Sequence, residues 1–326
     1  MKKNIALVFG GYSAEQDVSV KSAEVVYNAL DKTRFAVTRV KLTPEKWVAL
    51  SDDGEEHPIS LNDFSFTRQG QKTTFDAVFN AVHGNPGEDG PLAGYFELMN
   101  LKQTASGQFE SALTFNKAEC NRLLNTFGIK TPQAVFLIGK EDYSAQAILE
   151  KVGLPCFVKP SRSGSSIGVS KVKALADLEP ALAKARAIDS KILIESMVSG
   201  TEVGCGVSNH TGSAKALAVT DIVPANDFFD FESKYNGQSE EVTPARIDSA
   251  VYQKIMAISE KVYTKLNLNG LARMDYIINA DQEPVLIEVN TVPGFSAESI
   301  LPKQAAHAGY TLAQLFNATL QNTLNS

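Results

Sequence analysis

Residues 271–291 read LARMDYIINADQEPVLIEVNT, and no other stretch of the chain leaves so little choice of fold. Two runs of alternating apolar and polar residues flank a polar loop at 279–284, the pattern of a two-stranded ribbon with one buried face. Strand side chains alternate faces with period two. Arg273 and Asp275 therefore share a face of the first run, with Met274, Tyr276 and Ile278 on the other. On the second run Glu288 and Asn290 share a face, and Val285, Ile287 and Val289 are expected opposite them. With the apolar faces inward, Asp275, Glu288 and Asn290 converge beside Arg273. Three oxygen donors without sulfur or imidazole suit a hard cation, and magnesium completes its shell with waters and phosphates. A solvated hairpin face with incidental charges is the competing reading.

The rest of the chain supplies sheets for such a ribbon. Strands are predicted at 5–9, 36–41 and 77–82, with a helix over 17–30, a βα repeat that favours a parallel sheet with helices on both faces. From 106 to 190 the pattern gives a helix after Asn116, strands at 134–138, 156–159 and 169–172, and helices at 143–152 and 175–186. The remainder opens with a strand at 191–195. A long amphipathic helix follows, in which Val251, Ile255, Ile258, Val262 and Leu266 recur every three or four residues. The ribbon comes next, and a last helix starts near Thr311. The expected fold class is α/β, α+β in parts, with three domains at 1–105, 106–190 and 191–326. A length of 326 residues is itself more than one compact core usually holds.

Several function classes drop out. The net charge is −6 and the basic residues are dispersed, which argues against nucleic acid as a partner. No apolar stretch approaches the ~18 residues of a membrane span. The run Ile5 to Phe9 meets Gly10-Gly11 and reads as a buried strand, not the core of a signal peptide. Three cysteines, Cys120, Cys156 and Cys205, suit reduced core thiols in a cytoplasmic protein. The four histidines show no metal-ligand spacing.

The segment 157–169, FVKPSRSGSSIGV, is strand, small-residue loop, strand. Such a loop exposes backbone N–H groups and can wrap an anion, with Lys159 at its mouth. It is not a Walker loop, and no G-x-G-x-x-G follows the first strand. A hairpin tip is the alternative. Asn116 and Glu119 are spaced as a capping box, and Lys117 opposes the helix dipole, which is compatible with service to a ligand. After the strand ending at Glu195, Val198 and Glu202 offer backbone groups and a carboxylate that suit an adenine and a ribose. Glu15 and the turn 82–90 (VHGNPGEDG) both follow strands of the first segment, where ligands of α/β sheets bind. Residues 228–237, FFDFESKYNG, suit a lid that excludes water.

Together these residues resemble the ATP-grasp superfamily and, within it, the D-alanine–D-alanine ligases. The resemblance spans the whole chain: Gly10-Gly11 through Val18-Ser19, His83-Gly84 through Gly90, Lys159-Pro160-Ser161 through Ser166, Lys234-Tyr235, Arg273-Met274-Asp275, and Glu288-Val289-Asn290-Thr291 through Gly294. It implies ligation of two D-alanines through a D-alanyl phosphate made with ATP, feeding peptidoglycan synthesis. It assigns Asp275, Glu288 and Asn290 to two Mg2+ ions, with Mn2+ as a substitute. Lys117, Lys159 and Lys234 would hold phosphates, and Glu195, the Val198 backbone and Glu202 the adenosine. Arg273 and the Gly294 N–H would form an oxyanion hole. Glu15 would hold the first D-alanine's ammonium, with His83 near its carboxylate, in a triad with Ser165 and Tyr235. Ser299 would meet the second carboxylate. A homodimer is also implied. Siblings that take D-lactate or D-serine, against which Tyr235 speaks, and a non-catalytic nucleotide-sensing module, against which the intact Arg273, Asp275, Glu288 and Asn290 set speaks, are the alternatives. Ser196-Met197 and Ser163 depart from the family pattern, and the extra length at 47–70 has no functional reading.

Overall fold

The computed structural model describes residues 2–139, 141–223 and 240–326. Its N-terminal part carries β1 (Lys3–Gly10), β2 (Phe35–Leu42), β3 (Trp47–Leu50), β4 (Glu56–Pro58), the hairpin β5 (Phe66–Arg68) and β6 (Gln71–Thr73), then β7 (Ala77–Asn80) and β8 (Lys102–Gln103). The main sheet runs β4-β3-β2-β1-β7-β8. Ile5, Ala6, Leu7 and Val8 have no exposed surface, as befits a central strand covered on both faces. From β2 to β8 the pairs are parallel. To this expected parallel sheet the chain adds β3 and β4, which pair antiparallel on the β2 side.

Those edge strands account for the length at 47–70. Trp47, Phe64, Tyr95 and Phe96 meet edge to face, with Phe64 and Phe96 centroids 5.0 Å apart. The extra residues thus thicken an aromatic core. The chain leaves β1 for β2 on one side and reaches β7 on the other. The loops after β1 and β7 therefore diverge and open a crevice at their carboxyl ends; Glu15, His83 and Glu88 stand there.

A second sheet contains β9 (Ala134–Ile138), β10 (Cys156–Pro160), β11 (Ser170–Val172) and β12 (Lys191–Ser196), in the order β11-β10-β12-β9 with antiparallel pairs. Helices Ala145–Val152 and Leu178–Arg186 cover one face, and the predicted helix start at 175 is a single 3-10 turn, Leu175–Asp177. The third sheet holds β13 (Thr201–Ser208), β14 (Lys215–Val223), β15 (Glu240–Val242), β16 (Leu271–Ile278) and β17 (Pro284–Asn290), ordered β15-β14-β13-β16-β17. Strand β13, TEVGCGVS, keeps Val203, Cys205 and Val207 at period two, but glycines at 204 and 206 fill its other face and depress the strand signal.

The helix Ser249–Lys265 buries Val251, Ile255 and Val262 against Val203, Met274 and Tyr276. The last helix, Leu312–Asn325, lies on the first sheet, where Leu315, Phe316 and Leu320 pack with Ile5, Leu7 and Phe79. The two ends of the chain therefore share one core. The three cysteines are free and buried, and no helix among the described residues is long and apolar enough to cross a membrane.

Candidate active site

The ribbon forms as β16 and β17, with Asp275 opposite Glu288 and Arg273 opposite Asn290. Arg273 grips Asp275 with two bonds, Nε to Oδ1 at 2.7 Å and Nη2 to Oδ2 at 2.8 Å, and Asn290 Nδ2 donates to Oδ2 at 2.9 Å. Burial works against the Arg273 charge, but the adjacent Asp275 carboxylate outweighs it and the pKa is raised. Gly204 on β13 lies across from Asp275, and a Cβ there would come within 3.1 Å of Oδ1. That strand has to be bare for the pair to fit.

One expectation for the ribbon fails. A bulge after Asp275 makes Tyr276 pair with Leu286, so Leu286 and Val289 face the core. Ile287 instead lines a cavity beside Glu288, and Val285 pairs with the cavity-lining Ile277. A single extra residue in a strand reverses the faces beyond it. The alternation had placed Val285 and Ile287 on the opposite side.

That cavity, about 530 Å³, lies between the second and third sheets. Lys159, Glu195, Val198 and Glu202 line it with the apolar Ile222, Ile277 and Ile287. Lys159 Nζ is 2.5 Å from Glu195 Oε1, and both side chains are buried. Glu195 Oε2 is buried without a hydrogen-bond partner among the described residues. An orphan carboxylate oxygen there calls for an N–H or O–H donor from a ligand. Lys117 sits 2.7 Å from Glu288 Oε1 and donates to the Ser163 carbonyl at 2.8 Å. Burial opposes its charge; Glu288, aided by Glu88 and Glu195, prevails and raises its pKa.

The predicted capping box does not form: neither Asn116 nor Glu119 caps the helix Lys117–Thr126, and Glu119 pairs with Arg122. Ser161, from the loop after β10, does so instead. Its Oγ accepts from the Ala118 N–H at 3.0 Å and donates to Asn116 Oδ1 at 2.7 Å, and its carbonyl accepts from the Lys117 N–H at 3.0 Å. Nothing in the sequence near residue 117 signals that partner.

A second cavity, about 450 Å³, opens at the crevice of the first sheet and is lined by Glu15, His83, Glu88, Arg273, Gly294 and Ser299 among others. Ser165 Oγ donates to Glu15 Oε1 at 2.5 Å. Ser165 and Ser166 have φ of 51° and 57°, left-handed conformations that cost a serine energy and cluster at functional sites. A Cβ on Gly84 would lie 2.8 Å from Glu15 Oε2. Ser299 Oγ is 2.9 Å from Ser296 Oγ. His83 is buried, Nδ1 is 2.7 Å from the Val292 carbonyl and Nε2 is 2.9 Å from Ser22 Oγ. Both ring nitrogens thus have protein partners, which the expected contact with a substrate carboxylate did not foresee. Burial, then the Glu15 charge, pushes Glu88 up to about 7 against its hydrogen bonds from Gly84 and Val292. Lys234, Tyr235 and the lid at 228–237 fall outside the described residues.

Lys117, Ser165 and Glu288 line both cavities. A fold of this kind, with a nucleotide-sized cavity between two antiparallel sheets opening toward a second pocket, is that of an ATP-grasp ligase. Two family models match, described as the D-ala D-ala ligase N-terminus over residues 4–106 and C-terminus over 123–321. The chain is 47% identical over 322 residues to a D-alanine–D-alanine ligase of Flavobacterium johnsoniae, covering 99% of both chains. It is 40% identical to one from Parabacteroides distasonis, covering 100% of this chain and 99% of that one. Among solved structures, the D-alanyl-alanine synthetase A of Vibrio cholerae superposes with a TM-score of 0.90 at 26% identity, over 100% and 99% of the two chains. The VanG D-Ala:D-Ser ligase of Enterococcus faecalis does so at 0.87 and 28%, over 98% and 99%. The chain belongs to the D-alanine–D-alanine ligase family, whose members are ATP-dependent ligases.

Proposed function

We propose that the chain joins two D-alanines at the wall shared by its two cavities, and that shared wall is the observation that carries the reading. It lets a nucleotide in one cavity present its γ-phosphate to an amino acid in the other. Glu195, the Val198 backbone and Glu202 take adenine and ribose, with the orphan Glu195 Oε2 as acceptor. Lys117, Lys159 and Lys234 take the phosphates. Glu15, oriented by the Ser165 hydroxyl and completed by Tyr235, takes the ammonium of the first D-alanine, beside His83. The carboxylate of that D-alanine attacks the γ-phosphorus, the bond to the β,γ-bridging oxygen breaks, and an acyl phosphate forms as ADP leaves. The second D-alanine, its carboxylate at Ser299, attacks the acyl carbon through its amine. Arg273 and the Gly294 N–H stabilise the oxyanion, and phosphate departs. ATP would lie between the second and third parts, with divisions near residue 105 and, since β12 (Lys191–Ser196) completes the second sheet, after residue 196 and not at 190.

Asp275, Glu288 and Asn290 fit magnesium. They present hard oxygens on one face of a ribbon. Among the described residues no group of three His, Cys, Asp or Glu is placed to cage an ion. Two carboxylates and an amide suit an ion that draws its remaining ligands from phosphates. When bound, two Mg2+, or Mn2+ in their place, would neutralise charge on the transferring phosphoryl group. A cytoplasmic location and a homodimer go with this reading.

The test is phosphate release from Mg-ATP with D-alanine, L-alanine, or D-alanine plus D-lactate or D-serine, with products identified by mass. D-Alanyl-D-alanine, with silence on L-alanine, is the expected result. A mixed product as the main one would move the chain to the sibling ligases. No release at all would defeat the reading in favour of a nucleotide-binding module.

A further inference from the structure

The segment 291–295, which follows the metal-binding face of β17 and contains Gly294, is held almost entirely by side chains from the first 90 residues. Glu88 Oε1 accepts from the N–H groups of Thr291 at 3.1 Å and Val292 at 3.3 Å, while its Oε2 accepts from the Gly84 N–H at 3.1 Å. The Val292 carbonyl can only accept, so His83 Nδ1, 2.7 Å away, carries the ring proton. Nε2 of the neutral ring is then the acceptor and takes the Ser22 hydroxyl proton at 2.9 Å. Ser22 Oγ in turn accepts from the Phe295 N–H at 3.0 Å. Burial lowers the His83 pKa and keeps the ring in that neutral form. The Phe295 ring packs on Phe79 and Phe316 of the first core.

Counting the backbone donors shows what this arrangement leaves over. Pro293 has no N–H. Thr291, Val292 and Phe295 each donate to Glu88 or Ser22. The Gly294 N–H has no hydrogen-bond partner among the described residues, and Gly294 lines the amino-acid cavity. Its flanks are therefore fixed on both sides while it stays available, as a donor organised before the reaction should be.

We propose that Ser22, His83 and Glu88 are positioning residues that aim the Gly294 N–H at the reacting carbonyl, a proposal that rests on the ligase reading above. The chain Phe295 N–H, Ser22 O–H, His83 Nδ1–H and Val292 carbonyl runs donor to acceptor without a break, so each link polarises the next. Ser22 is fully buried and lines neither cavity. Any effect it has on chemistry is therefore transmitted through the segment.

The experiment is Ser22→Ala in the full chain, with Ser22→Thr as the variant that keeps the hydroxyl, followed by ligation kinetics and thermal melting. A well-placed oxyanion donor is worth ~10²–10³ in rate, so a misaimed one should lower kcat about tenfold or more. KM for ATP should stay within about twofold, because uniform substrate binding is untouched. Ser22→Thr should recover kcat, and a phosphinate dipeptide that mimics the tetrahedral intermediate should bind Ser22→Ala more weakly in proportion to the lost rate. If threonine prevents folding, His83→Asn serves, since its amide can still donate to the Val292 carbonyl and should retain more kcat than His83→Ala. A Ser22→Ala protein that melts lower yet keeps wild-type kcat would overturn the proposal, as would a loss carried by KM for ATP. Absence of dipeptide with the unmodified protein strikes the ligase reading itself; dipeptide from the unmodified protein and equally from Ser22→Ala strikes the positioning role alone.

Discussion

Ser161→Ala removes two hydrogen bonds at a fully buried position and leaves the surrounding backbone in place. The Ala118 N–H at the start of the helix Lys117–Thr126 loses its only cap, a loss typically of ~1 kcal/mol. Asn116 Oδ1, on a residue only 7% exposed, loses its donor, and an unsatisfied buried acceptor costs roughly 1–3 kcal/mol. The bonds from the Ser161 carbonyl to Lys117 N–H and from Ser161 N–H to the Lys191 carbonyl persist and limit the collapse. The sum is about 2–4 kcal/mol, at the upper end for a change of one oxygen atom. Urea unfolding should show a lowered midpoint at unchanged slope. Because Lys117 rides on the first turn of that helix, KM for ATP should rise with it. Glu119→Ala is the paired control: the capping box that would make Glu119 matter is absent, so it should lie within about 0.5 kcal/mol of the parent. Equal midpoints for Ser161→Ala and the parent, or a large loss in Glu119→Ala, would refute the assignment of the cap.

Three further outcomes are expected. Glu288→Gln should abolish ligation while the protein still melts cooperatively, and wild-type turnover would remove Glu288 from the metal set. Arg273→Lys gives up the two-pronged grip on Asp275 and should cost ~10²–10³ in kcat; a change confined to KM for D-alanine would contradict its place at the oxyanion. For Glu88, the folded pKa of about 7 exceeds the ordinary 4.5, so between those values the folded state holds the proton more tightly. Stability from this group therefore falls as pH rises through that window, by about 3 kcal/mol in the ligand-free protein, and is flat above it. Glu88→Gln should lack that component, and urea midpoints that shift in parallel for both proteins between pH 5 and 8 would disprove it.

The site was readable to different depths. Arg273, Asp275, Glu288 and Asn290 lie on one face because strand periodicity is a local property, and the structure brings them together as expected. The reading failed just before Glu288 in the same strand, at Ile287 and Val285, because a bulge depends on how the partner strand pairs. Edge strands β3 and β4 and the glycine-bearing β13 were unreadable for a similar reason, since their stability comes from neighbours already in place. Lys117 drew notice as a charge against the helix dipole, whereas Ser161 and Ser22 carried no local sign of the bonds they make. His83 was legible as a site residue, but not the commitment of both its nitrogens.

By itself, the order of apolar and polar residues determined the strands and helices with long regular periods and the oxygen donors of the ribbon. These follow from backbone geometry that repeats every two or 3.6 residues and needs no distant partner. Tertiary structure alone decided which serine caps which helix, and that the last helix completes the first core. It also decided that the segment around Gly294 is fixed by residues more than 200 positions away. Those outcomes depend on hydrogen-bond partners and buried surfaces that meet only after the chain has closed on itself, and no local period encodes them.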